Sequence, residues 1–217
     1  MHIKIILSAA VSAGLTAACA TLPPPPPPVL EYARQDCDAA PDLTTAISLT
    51  PAKESHTHRV SAVVSDQTAC LQRDGGTSPY VVFALPEDRG DKTLIVGGVL
   101  EAFRIFAPAI TLLDAQGQVS RAFPAEEFLY RGSVYSVQFR PRETEAYLLV
   151  DVDQNRVGTG YDAINVGTNT TTISTGYYAS NITTGTESHS SRTFSWEGTV
   201  LVTVNDSDTD ENPADPG

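Results

Sequence analysis

Short apolar runs with a period of two organise the chain between residues 80 and 204. YVVFAL at 80–85, KTLIVGGVL at 92–100 and AITLLD at 109–114 are brief and rich in β-branched residues. In SVYSVQF at 133–139, AYLLVDV at 146–152 and FSWEGTVLVTV at 194–204, polar and apolar positions alternate more clearly. Breakers separate the runs at PEDRGD (86–91), DAQGQ (114–118) and RPRETE (140–145). Strands of this length at this spacing predict an all-β fold: antiparallel sheets in a β-sandwich, jelly-roll-like or immunoglobulin-like. PAEEFLY at 124–130 predicts one helical turn, with proline at a tolerated start.

Turn chemistry adds detail. DAQGQ predicts a turn in which Gly117 supplies a positive φ. Gly97 and Gly98 inside a strand predict a bulge or kink. From 158 to 191 the chain becomes rich in Gly, Thr, Ser, Asn and Tyr, which predicts a long polar hairpin.

The amino terminus follows a different pattern. A basic start at 1–4 leads into an apolar run of eleven residues at 5–15 and then TAA before Cys19. That run is short of the roughly 20 residues needed to span a bilayer, and it suits a signal-peptide core. LTAAC at 15–19 resembles the bacterial lipobox, in which the cysteine is lipidated and becomes the first mature residue. Pro23–Pro28 cannot form helix or ladder, so it predicts a polyproline II stalk of roughly 19 Å. The expected organisation is a lipoprotein signal at 1–18, lipidated Cys19 and stalk at 19–30, one β-sandwich domain at 31–204, and a disordered acidic tail at 205–217. Ala20 after the cysteine resembles the signal for outer-membrane delivery. The expected location is therefore the periplasm of a Gram-negative bacterium, anchored to the inner leaflet of the outer membrane.

Charge and cysteines narrow the function. The formal net charge is −12, one unit more negative once Lys4 leaves with the signal. Nucleic acid and anionic headgroups need clustered Lys and Arg, so neither is an expected partner. Cys37 and Cys70 remain as an even pair in an exported chain and predict a disulfide that secures the amino-terminal segment. Its reduction is expected to loosen residues 31–70 first.

SPYVVFALPEDRG at 78–90, then IFAPAITLLDAQGQ at 105–118 and RAFPAEEFLY at 121–130, resemble the maltose operon periplasmic protein family. The resemblance implies an exported envelope protein tied by operon context to maltodextrin uptake, and it carries over no catalytic residues. Physically, Pro86 and Pro108 fit strand-edge positions, and Phe83, Phe106, Phe123, Phe128 and Tyr130 fit the core.

Candidate chemistry is sparse. His56 and His58 would share a face of an extended segment, but no third metal ligand accompanies them. DVDQN at 151–155 opens like a calcium loop, yet Arg156 stands where that loop needs Gly and Asp162 where Glu is usual. A strand end running into a turn is the better reading. No nucleophile motif accompanies the histidines, so no enzyme activity, metal or cofactor is expected. Two functions remain: an accessory lipoprotein that contacts an envelope protein through sheet edges or the polar hairpin, or an oligosaccharide-binding module. The second would use Tyr161, Tyr177, Tyr178 and Trp196 as stacking platforms.

Overall fold

The computed structural model describes residues 23–53, 55–73, 75–174 and 179–206. Within the hairpin at 160–195, side chains are described for 160–163, 169–172, 174, 183–185 and 189–195. The signal, Cys19, Tyr177, Tyr178 and residues 207–217 lie outside the described residues.

Two five-stranded sheets form a sandwich, and no α-helix occurs among the described residues. The first sheet takes the order β1 (Ile47–Ser48), β5 (Val81–Ala84), β12 (Glu145–Val152), β8 (Pro108–Asp114) and β9 (Val119–Ala122). The second takes the order β10 (Leu129–Arg131), β11 (Val134–Phe139), β6 (Lys92–Val99), β15 (Gly198–Asp206) and β2 (Thr57–Val64). β3 (Cys70–Arg73) and β4 (Gly76–Pro79) pair as a small hairpin. β13 (Gly160–Ser174) and β14 (Ala179–Ser195) make a long one, to which β7 (Arg104–Phe106) adds at the base. Pairing is antiparallel except for β1 with β5 and β7 with β14, which are parallel.

The main core lies between the two sheets. Phe83, Ile110, Leu112, Leu148 and Val150 from the first meet Val64, Leu94, Val96, Val137, Val200 and Val202 from the second. Burying each of these side chains stabilises the fold by about 1.5–3 kcal/mol before entropy is counted. β15 alternates buried and half-buried positions as its sequence predicts. β12 does not, because a second cluster covers the opposite face of its sheet: Leu149 packs there with Leu71, Tyr80, Val82 and Leu113. A strand buried on both faces has no reason to alternate.

Several expectations change in detail. FSWEGTVLVTV is two strands, since β14 ends at Ser195 and β15 starts at Gly198. β15 runs on through Asn205 and Asp206, so the domain extends past the predicted boundary at 204. Gly97 and Gly98 form no bulge, because β6 keeps continuous register with both β11 and β15. They permit close approach instead. A Cβ on Gly97 would sit 2.0 Å from the Tyr135 carbonyl oxygen, and one on Gly98 would sit 2.2 Å from that of Phe106.

The predicted turns are present. Asp114 Oδ1 accepts from the N–H groups of Gln116 and Gln118 at 2.9 and 2.8 Å, and Gly117 has φ +79°. PAEEFLY gives a 3₁₀ turn at Ala125–Glu127, with Pro124 just before it as the cap. Pro108 is the first residue of β8, where its missing N–H costs nothing.

Candidate protein-contact surface

Four side chains were expected to share a ligand platform, and the structure gives two of them separate structural partners. Tyr161 stacks on Tyr130, with centroids 3.8 Å apart and planes at 16°. Tyr130, expected in the core, is 38 % exposed and covers Tyr161 from the β10 edge. Burial comes first in pushing the Tyr130 phenol up to about 12, and the neighbouring Tyr135 adds to the shift. Arg156 closes the same cluster from above, with its guanidinium 4.8 Å from the Tyr135 ring centroid and 5.0 Å from that of Phe194.

Trp196 belongs to a different arrangement. Its ring stacks on Tyr32 at 5.3 Å, and its Nε1–H donates to the Leu30 carbonyl at 3.2 Å. Beside it, the Val29 N–H donates to Ser195 Oγ, and the Trp196 N–H donates to the Val29 carbonyl. The chain leaving the proline run is therefore pinned to the turn between β14 and β15, well before Cys37. Each ring lends a face to a protein neighbour, so Tyr161 and Trp196 form no common planar row.

Cys37 and Cys70 form a disulfide. The Asp38 N–H donates to the Cys70 carbonyl and the Gln72 N–H to the Asp38 carbonyl, which lays the amino-terminal segment along β3. Asp151, next to last in β12, is buried, with Arg73 Nε 2.7 Å and Nη2 2.5 Å from its Oδ2. Burial pushes its carboxyl up and Arg73 pulls it back. The arrangement is the predicted strand end, with an arginine where a calcium loop would need an ion. No cluster of three metal-ligating side chains occurs among the described residues.

Sequence reasoning missed the open side of the sandwich. β1 covers only Phe83 and Ala84 of β5. Among the described residues β2 pairs with β15 alone, so its other edge has no strand partner, and only Val64 at its end is buried. Between these margins lies a cleft of about 470 Å³ walled by Ile47, Ser61, Ala62, Val63, Tyr80 and Val82, with no charged residue in its lining. Val63 is 63 % exposed and Ile47 is 37 % exposed at its rim. The signal was the alternation of Val60, Ala62 and Val64 with Arg59, Ser61 and Val63, which marks THRVSAVV as a strand with one apolar residue turned outward. A more polar hollow on the outer face of the second sheet includes Arg59, Arg131 and Asn205. There Arg131 is committed to the Ser136 carbonyl, and the Thr57 hydroxyl donates to Asn205 Oδ1 at 3.1 Å.

Residues 75–150 match the family model described as Maltose operon periplasmic protein precursor (MalM). The maltose operon periplasmic protein of Salmonella typhimurium is 27 % identical over 133 residues, which cover 59 % of this chain and 42 % of that protein. The chain thus spans less than half the length of the curated relative it matches. No solved structure matches it. The matched segment runs from β4 through most of β12, while β2, the cleft's outer rim and the long hairpin lie outside it. The resemblance read from 78–130 therefore holds, and residues 75–150 carry the pattern of the maltose operon periplasmic protein family.

Proposed function

We propose that the chain is a non-catalytic periplasmic lipoprotein, accessory to carbohydrate uptake of the maltodextrin type or to envelope assembly. Cys19 anchors it to the inner leaflet of the outer membrane, and Pro23–Pro28 hold the sandwich clear of the headgroups. The name of the Salmonella relative supports the periplasmic and maltose-related parts of this reading. The observation that carries it is the uncovered β2 edge beside an uncharged cleft.

Such an edge accepts an extended segment of another protein by strand addition, in which main-chain hydrogen bonds bind and side-chain pockets select. The cleft's chemistry asks for an occupant with apolar side chains at alternate positions. Natural edges are usually blunted by lysine, proline or a bulge, and the rim at Val63 carries none of these. An envelope protein is the partner; the stacked rings of Tyr161 and Trp196 argue against an oligosaccharide in that role.

The test is complementation of a deletion strain. The wild-type gene should restore maltodextrin uptake or resistance to envelope stress. Ile47→Lys with Val63→Lys, exported and disulfide-bonded to the same level, should leave the deletion phenotype in place. Equal restoration by both genes contradicts the proposal, and so does a deletion that changes neither property.

A further inference from the structure

The hairpin β13–β14 has an unusual composition for a projecting element. From Ala163 to Thr186 it runs for 24 residues with no Asp, Glu, Lys, Arg or His and no proline. The surrounding chain is strongly acidic, at −12 overall. Fifteen residue pairs, from Gly160↔Thr193 to Ser174↔Ala179, give the ribbon a length of roughly 50 Å. Its two strands are tied across by the Thr170 and Thr183 hydroxyls at 3.0 Å and by the Thr184 hydroxyl on the Asn169 carbonyl at 3.4 Å.

The two edges differ. β14 is flanked at its base by β7, paired through Thr193, Phe194 and Ser195. β13 has no strand partner on its outer side among the described residues. A two-stranded ribbon is marginal in water, and three or more strands are needed for independent stability. Thr, abundant in this arm, favours the strand conformation. Beyond Asp162, the 12 residues of β13 from Ala163 to Ser174 form an uncharged, proline-free edge that lacks the usual protection against pairing.

We infer that the chain self-associates through the outer edge of β13, two copies running antiparallel about a two-fold axis to make one four-stranded ribbon. A second copy fits this edge better than a different protein because the arm is where two strongly acidic molecules can meet without opposing charges. The antiparallel choice follows from the same electrostatics. It places the two acidic bodies at opposite ends of the ribbon, roughly 50 Å apart, many times the Debye length of about 8 Å at physiological ionic strength. A parallel pairing would bring them side by side. The contact is isologous, so it closes at two copies. It uses a different element from the cleft and does not depend on the function proposed above.

The test uses the full chain purified from the envelope, with sedimentation velocity and amide hydrogen exchange. Wild type should sediment as a dimer, with slow exchange across 160–174. With β13 paired antiparallel along its full length, residue 165 of one copy faces residue 169 of the other, so Asn165→Lys with Asn169→Lys should raise the dimer Kd by about tenfold or more, and Asn165→Glu with Asn169→Glu should do the same. Mixing the two charged variants should restore a dimer. Unchanged protection in β5, β8 and β12 shows that each variant is folded. A monomeric wild type overturns the inference, as does a dimer indifferent to both charged pairs. Assemblies that keep growing with concentration overturn the two-fold closure, and a complex formed only with another envelope protein overturns self-association.

Discussion

Arg121→Met should cost about 3–5 kcal/mol of folding stability, the range for removing one partner of a buried ion pair. Glu145 is 0 % exposed, and Arg121 Nη2 donates to its Oε2 at 2.9 Å. The same carboxylate accepts from the Arg142 N–H at 2.7 Å and from the Ser120 hydroxyl at 3.2 Å. Those two donors orient the group without cancelling its charge. Arg121 also donates to the Arg140 carbonyl, and its guanidinium lies 5.0 Å from the Phe123 centroid and 5.4 Å from that of Phe139. The substitution thus removes a charge, a hydrogen bond and a stacked plane together. Arg121→Lys should recover only part of the loss, because an ammonium cannot reproduce the planar fork.

Adding Glu145→Gln to Arg121→Met should return at least half the stability. The amide keeps an acceptor for the Arg142 N–H while the unpaired charge is gone. Thermal unfolding reads the difference: the single variant should lose about 6–20 °C in Tm for a domain of this size. A loss no greater than that of an exposed arginine would show that Glu145 does not need its partner.

Removing the disulfide is the second large effect. A bridge spanning 33 residues should stabilise by about 3–4 kcal/mol through the unfolded chain, so Cys37→Ala with Cys70→Ala should lose that amount. The loss should be local in its first stage. The bond fastens a cover made of the 35–46 segment and the β3–β4 hairpin over the outer face of the first sheet, where Leu43, Ala46, Leu71 and Tyr80 pack. The expectation that all of 31–70 loosens is too broad. Val29 and Leu30 remain tied to Ser195 and Trp196, and β2 remains paired with β15. Hydrogen exchange with and without reductant should show early loss of protection at 35–46 and 70–79, with the core between the sheets, Leu49 included, retained. Uniform loss across both sheets would contradict this order.

What the sequence revealed followed the range of the physics. Runs such as YVVFAL, KTLIVGGVL and AITLLD could be read because the apolar face and the breakers that bound it are local. The DAQGQ turn was equally legible, since one aspartate and one glycine determine it. Features that depend on distant neighbours were not. LLVDV reads as alternating until a second cluster is found under β3 and β4. Tyr130 reads as core until Tyr161 is placed beside it, 31 positions later. Trp196 reads as core or platform, and its actual role is to hold residues 29–32, which no spacing in the sequence connects to it. The Gly97–Gly98 pair reads as a bulge or kink, yet β6 stays regular there, because the glycines answer close approach by Tyr135 and Phe106 on other strands. The cleft escaped for the same reason: it is formed by edges that do not meet in sequence.

The central claim is that Tyr161 and Trp196 serve the fold rather than a sugar, which is what the proposed action through contacts with other proteins requires. The direct measurement is a titration of maltoheptaose into the full chain, followed by calorimetry and by the fluorescence of Trp196, the single tryptophan. The ring is stacked on Tyr32 and bonded to Leu30, so the account predicts no saturable heat and no change in emission up to millimolar sugar. Saturable binding below a millimolar, with a matching change in Trp196 emission, would contradict it and make the protein a glycan receptor.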